Sequence, residues 1–379
     1  MKKTLLIFTI LVLSSLQTFS QTEFEKFLEQ AKDSIEQRAY FSAIELLQTA
    51  KKQTQISSEL NIADTLIYKL IDILKNTESL VFNELTGVAK IKVSGNDYLM
   101  DMKGNQYVAA FEIGNINQKT QAIDLSSNNL RQLPIEIIEA TDLTYLNLID
   151  NKIKKLPNEI GMFSSLTNLY LSGNKLSTLP TEIGKLTSLT RMELWYNNLT
   201  SLPSEIENLT NLSSLDLSWN KLSALPKEIG KLTNLHKLLL YDNQLTFLPA
   251  EIGGLTSLST FDLRKNQLTT LPSEFGNLSG LKKLHLESNQ LNALPKEIGN
   301  LTNLSELYLN DNQLTNLPTE IGNLTNLTHL YLLNNQLTTL PSEIGSLKNL
   351  KELYLGGNNF SEEELKRIKE LLPNCRIHF

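Results

Sequence analysis

The sequence predicts an α/β repeat solenoid, a horseshoe with parallel strands on its concave face, preceded by a small helical segment and a short β meander cap. Three observations carry this. Eleven asparagines, from Asn128 to Asn358, recur every 23 residues without an insertion or deletion. The surrounding phrase returns almost unchanged, so that "LYLNDNQLTNLPTEIGNLTN" from Leu307 reappears as "LYLLNNQLTTLPSEIGSLKN" from Leu330. Within each phrase L-x-L alternates apolar and polar residues, the period-two mark of a short strand with one buried face. One such turn cannot bury its leucines, whereas stacked turns can, so stability must pass from neighbour to neighbour.

The elements follow in order. Residues 1–20 read as a signal peptide: Lys2 and Lys3 precede the apolar run Thr4 to Leu16, and small residues at Thr18 and Ser20 lead to a cut before Gln21. That run makes roughly 20 Å of helix, short of the ~30 Å needed to span a bilayer. Residues 21–80 read as helical. Phe27, Ala31, Ala43, Leu47 and Ala50 resemble part of a tetratricopeptide unit, from which Gln30 and Ser34 depart. Residues 85–118 hold three strand-like runs, near 88–93, 97–102 and 106–113, separated at Gly95-Asn96 and Gly104-Asn105. They are expected to cover the edge of the first repeat. Eleven repeats occupy 119–358, and an acidic-start helix with a short strand closes the chain over 359–379.

The phrase L-x-x-L-x-L-x-x-N-x-L-x-x-L-P-x-E-I-G-x-L-x-x resembles the leucine-rich repeat family over more than two thirds of the chain. Its "LPxEIGxL" half is similar to the scribble-type and Ras-group-related subgroup and to many bacterial relatives. Each buried asparagine is expected to satisfy the backbone of the turn leaving its strand. The prolines at 134 to 341 suit the first position of a short helical turn, and the glutamates two residues later suit its positive end. The tripeptides beginning at Asn208, Asn300 and Asn326 match glycosylation acceptors but fall inside the repeat phrase.

With the framework letters accounted for, function falls to the variable ones. The outward strand positions and the residue before each asparagine hold both tryptophans, Trp195 and Trp219, and seven of the 11 tyrosines. Aromatic enrichment of this kind marks binding hot spots. Tyr145, Tyr170 and Trp195 step diagonally toward Tyr196, Trp219, Leu239 and Tyr241. Glu193 and Asp216 share a column about 4.8 Å apart, so a positive group must be near, either Arg191 or a cation on a partner. Arg264 and Glu287 share another column and are expected to pair. His285, Tyr308, Tyr331 and Tyr354 form a second aromatic column, with structure and binding as equal readings of it.

These residues suggest a protein partner with basic and apolar groups; the alternative is a glycan stacked on Trp195, Trp219 and Tyr241 and held by Asn168, Asp216 and Asp242. Nucleic acid does not fit a net charge of −6. The four histidines, at 236, 285, 329 and 378, have no metal spacing, and no phosphate loop or serine elbow is present. No cofactor or catalytic role is therefore expected. The single cysteine, Cys375, excludes an internal disulfide framework and reads as a small hydrophobe in the C-terminal cap. A secreted, periplasmic or surface location, with a bacterial export route, follows from the signal-like start and the missing disulfides.

Overall fold

The computed structural model describes the backbone of residues 80–83, 88–93, 96–101 and 106–379, with side chains from Val108 onward. The signal-like segment and the helical segment through residue 79 lie outside the described residues. The chain forms two compact units.

The first contains an antiparallel meander of β1 (Leu80–Asn83), β2 (Val88–Val93), β3 (Asn96–Asp101) and β4 (Gln106–Ala110). Its registers are Leu80↔Ile91, Val88↔Asp101 and Tyr98↔Val108. β1 begins at Leu80, where the sequence suggested the end of the helical segment. Asn96, read as a turn residue, starts β3.

The second unit is the repeat solenoid. Its strands β5 (Ala122–Asp124), β6 (Tyr145–Asn147), β7 (Asn168–Tyr170) and β8 (Arg191–Glu193) are three residues long. They continue as β9 (Ser214–Asp216), β10 (Lys237–Leu239), β11 (Thr260–Asp262) and β12 (Lys283–His285). The series ends with β13 (Glu306–Tyr308), β14 (His329–Tyr331) and β15 (Glu352–Tyr354). Neighbours from β6 onward pair in parallel with equivalent residues opposed, as in Lys237↔Thr260 and Leu239↔Asp262. The strands are brief because only L-x-L is extended. The residue before every framework asparagine then turns left-handed, with φ from 48° at Lys265 to 74° at Gly357.

The leucines fill the interior. Leu235, Leu238, Leu240, Leu245, Ile252 and Leu255 of one repeat are all fully buried. Phe261 and Phe275 take leucine and isoleucine positions and stack at 5.8 Å. On the opposite side each LPxEIG phrase makes a 3-10 turn of five residues, such as Lys227–Lys231. The proline is one position earlier than the sequence suggested: it is the extended residue preceding the turn, with φ between −74° and −61°. Its carbonyl accepts the first bond of the turn, as from Ile183 N–H to Pro180 at 3.0 Å.

The asparagines do more than close their own turns. Asn220 Nδ2 donates to Leu217 and Ser218 in its own repeat and to Leu194 in the one before, at 3.0, 3.2 and 2.9 Å. Its Oδ1 accepts from Leu199 N–H of that preceding repeat at 2.9 Å. The ladder is buried from Asn151 to Asn335, but Asn128 is exposed and Asn358 half-buried, correcting the expectation of eleven buried asparagines. The Asn128 side chain reaches only Ser126 of its own turn, at 2.9 Å. Asn326, in a glycosylation-like tripeptide, donates its amide to Thr302 at 2.8 Å, a structural bond.

The C-terminal end is α1 (Glu362–Leu371) followed by β16 (Arg376–His378), which continues the parallel sheet beside β15. Ser361 caps the helix, accepting from Glu364 N–H, and three glutamates occupy its positive first turn.

Candidate binding surface

Three columns of side chains stand on the outward strand face, with the left-handed residues along the rim where each strand ends. The structure divides the sequence-derived candidates into three groups.

Tyr145 and Tyr170 form the first group, with ring centroids 5.3 Å apart. They are not exposed anchors: Tyr145 is 4% and Tyr170 1% accessible. The diagonal from Tyr145 to Trp195 is thus a buried pair followed by a separate cluster in which Trp195 and Tyr241 are half-buried and Tyr196 and Trp219 exposed. Arg191 lies over the Tyr170 ring at 5.5 Å and binds Glu193 at 2.5 Å, so this strand supplies the countercharge required beside Glu193.

The second group is a continuous aromatic cluster of Trp195, Tyr196, Trp219 and Tyr241. Centroid separations are 6.2 Å for Trp195–Trp219, 6.3 Å for Tyr196–Trp219 and 5.3 Å for Trp219–Tyr241. The Trp219 indole N–H donates to Asp242 Oδ2 at 3.0 Å, and Arg264 lies over Tyr241 at 5.0 Å. Tyr196 is 64% and Trp219 42% accessible. Both sit in the left-handed rim position, with φ of 57° and 50°. Eight of the eleven equivalents are Gly, Asn, Asp or Ser, which tolerate that backbone; a bulky aromatic there costs roughly 1–3 kcal/mol. The strain is borne by two exposed aromatic residues that the framework does not require.

Beneath the cluster runs an acidic strip in one column: Glu193, Asp216, then Asp262 beyond half-buried Leu239. Burial is the main influence on both Glu193 and Asp216 and pushes each carboxyl up. Arg191 only partly counters it at Glu193, as Ser218 does at Asp216. Arg264 was expected to pair with Glu287. It instead binds Asp262, two residues back on its own strand side, at 2.5 Å, while Glu287 meets His285 at 3.2 Å. The short same-strand reach is better aligned than the cross-strand one, with Arg264 Nε and Nη2 both donating to Asp262. Asp262 and Lys265, which approaches Tyr241 at 5.3 Å, were absent from the sequence-derived set. The signal for Lys265 was its place in the rim column, where it is the one basic residue among the eleven equivalents.

The third group is the ladder of His285, Tyr308, Tyr331 and Tyr354. Its rings stack at 4.2, 4.4 and 4.5 Å, within 12° of parallel, and His378 of β16 extends it at 4.2 Å. Sequence reasoning missed His378 because the cap breaks the 23-residue spacing. The column beside it runs Lys283, Glu306, His329, Glu352 and Arg376, with each glutamate between two nitrogen-bearing side chains. Lys283 meets Glu306 at 2.7 Å, and Arg376 and His378 meet Glu352 at 3.0 and 2.6 Å. Inside the ladder both faces of each ring are occupied by other rings.

Among the described residues no group of three His, Cys, Asp or Glu side chains could hold a metal, and no helix is long and apolar enough to cross a membrane.

A leucine-rich repeat region profile matches residues 122–240 and 227–311, and a leucine-rich repeat profile matches 302–360. The chain belongs to the leucine-rich repeat family. It is similar to an LRR protein of Leptospira interrogans, at 37% identity over 69% of this chain and 84% of that one, with a TM-score of 0.44. It is similar to a TDR receptor at 34% identity, covering 70% of this chain and 48% of that one, with a TM-score of 0.63. It is also similar to the plant peptide hormone receptor RGFR1, solved in complex with RGF2, at 31% identity over 64% and 45% of the two chains, with a TM-score of 0.53. The chain thus spans just under half of each receptor chain. No curated protein matches it. Leucine-rich repeat domains generally mediate protein–protein interaction and are typically non-enzymatic scaffolds.

Proposed function

We propose that this protein is a non-catalytic scaffold that binds a protein partner on the outward, concave strand face, through Trp195, Tyr196, Trp219 and Tyr241 above the Glu193–Asp216 strip. The observation that carries this reading is the exposure of Tyr196 and Trp219 in left-handed backbone that glycine or aspartate fills in neighbouring repeats. Strain retained at exposed aromatic residues is a mark of a functional surface. The two carboxyls raised by burial favour a partner that brings a cation, with apolar groups against Leu239 and the rings. RGFR1 was solved with the ligand RGF2, which supports a receptor-like use of similar repeats. The basic start and apolar run of residues 1–16 support export to a periplasm, a surface or the medium, and the LPxEIGxL phrase supports a scribble-like bacterial subtype.

A glycan reading needs Asn168 and Asp242 free to bind sugar. Asn168 accepts from Thr167 Oγ1 at 2.8 Å and Asp242 holds Trp219, so both are engaged within the protein. The test is affinity capture with wild type beside a Trp195→Ala/Tyr241→Ala variant of unchanged Tm, offering cell lysate and purified wall glycan separately. A protein retained by wild type and lost by the variant is expected. Equal capture by both forms overturns the assignment, and capture of glycan alone replaces it with the sugar reading.

A further inference from the structure

Next to the cluster, an open groove of about 660 Å³ runs along the rim, lined by Lys175, Tyr196, Asn198, Trp219, Lys221 and Asp242 among others. Its chemistry is opposite to that of the strand floor. The residue after each framework asparagine is Lys152, Lys175, Asn198 and Lys221 in four consecutive repeats, then glutamine in the next five, from Gln244 to Gln336. In this column positive charge is therefore confined to Lys152, Lys175 and Lys221, the last two on either side of the Asn198 repeat. Lys175 and Lys221 are exposed and make no ion pair among the described residues. Tyr196 and Trp219 are both exposed where they line the groove, and Asp242 pins Trp219.

We propose that this groove binds an extended acidic peptide segment of the partner, with two carboxylates on Lys175 and Lys221 and an apolar or aromatic side chain between them against Tyr196 and Trp219. The spacing follows from the repeat. Lys175 and Lys221 are two repeats apart, about 10 Å at one strand spacing per repeat. An extended peptide advances roughly 3.3 Å per residue and its side chains alternate faces. Two carboxylates on one face therefore belong four residues apart, roughly 13 Å, with the apolar side chain midway and the lysine stems taking up the difference. Charge complementarity selects the occupant: an unpaired basic rim beside exposed aromatic side chains suits an acidic, aromatic segment. Asp242, the acid lining the groove, is one repeat beyond Lys221 and already accepts the indole N–H. The proposal rests on the protein-binding reading and shares Tyr196 and Trp219 with it, while Lys175 and Lys221 belong to the groove alone. A partner meeting both surfaces would carry a cationic, apolar part for the floor and an acidic stretch for the rim.

The probe is a fluorescein-labelled, N-acetylated peptide Gly-Glu-Gly-Phe-Gly-Glu-Gly, with a Gly-Lys-Gly-Phe-Gly-Lys-Gly control and an oligogalacturonate as anionic glycan. Anisotropy and tryptophan fluorescence report binding to the full chain. The acidic peptide is expected to bind at least tenfold more tightly than the basic one, and Lys175→Ala/Lys221→Ala to erase that difference and flatten the salt dependence. Tyr196→Gly separates this role from a structural one, because Gly173 and Gly357 already occupy the same position. It should raise Tm by about 2 °C or more while weakening peptide binding at least tenfold. Equal affinity for both peptides, or no effect of these variants, overturns the proposal, as does binding of the glycan alone. Loss of a captured partner with Trp195→Ala/Tyr241→Ala but not with Lys175→Ala/Lys221→Ala sinks the rim groove and leaves the floor standing. Retention by both variants sinks both.

Discussion

Asn312 donates its amide to Leu286, Leu309 and Asn310 at 2.9, 3.1 and 3.2 Å and accepts from Leu291 N–H at 3.0 Å. Truncation to alanine leaves the buried Leu291 N–H without a partner, at roughly 1–3 kcal/mol. It also removes one bond from each of three carbonyls that keep Asn289, Asn335 and the Ser288 N–H, at roughly 0.5–1.5 kcal/mol each. Asn312→Ala is therefore expected to lower stability by about 3 kcal/mol in urea unfolding. Asn128→Ala, at an exposed residue whose side chain bonds only Ser126, should stay within about 0.5 kcal/mol. Equal effects would mean that the ladder does not join repeats. Cys375 gives a second prediction at this scale. Burial, with a smaller push from Glu352, raises its thiol to about 11, so it is protonated at neutral pH. Iodoacetamide should modify it at pH 7.5 well below the rate of a free model thiol, the thiolate being the nucleophile. A rate equal to the model thiol would contradict the burial described.

The two aromatic groups separate at the level of strands. In the ladder, pairing in register brings one ring per strand face to face from His285 to His378, and the stack is satisfied within the sheet. Cross-strand pairs of this kind contribute roughly 0.2–1 kcal/mol each. Tyr331→Ala removes the two pairs at 4.4 and 4.5 Å and should lower stability by about 1 kcal/mol while leaving partner capture unchanged. Lost capture at preserved Tm would instead make the ladder part of the site. The cluster around Trp219 differs because left-handed backbone aims Tyr196 and Trp219 along the rim, off the stacking column. That backbone state follows from the repeat turn, whereas letters reveal only that both residues precede an asparagine. Period two and the 23-residue spacing therefore make the strands and turns legible. Side-chain pairing is less so: Arg264 had Glu287 one strand away and Asp262 two residues back, and only geometry decides between them. Tyr145 and Tyr170 likewise read as outward by register and are buried in the fold.

Across the repeat unit, each turn is stabilised only by its neighbours, so the last repeat depends on what closes it. Arg367 of α1 donates to the carbonyl of Leu340, and Glu364 accepts from Leu340 N–H and Thr339 Oγ1, both at 2.9 Å. This ties the helix to the backbone of the final LPxEIG phrase. The hydrogen bond from Arg367, with those from Leu340 and Thr339, outweighs the opposing effect of burial and holds the Glu364 carboxyl down to about 2. An unfolded glutamate titrates near about 4.3. Because the folded value is the lower one, the unfolded chain takes up the proton first as pH falls. The contribution of Glu364 is thus complete above about pH 4.3 and disappears as pH drops toward 2. Glu364→Gln should lower the urea midpoint at pH 7, and the gap from wild type should close between pH 4.3 and 2. A gap constant over that range would show that the carboxylate charge does not hold the cap. A gap present at pH 7 and closing in acid would place the acid sensitivity of the last repeats in one ion pair at their end.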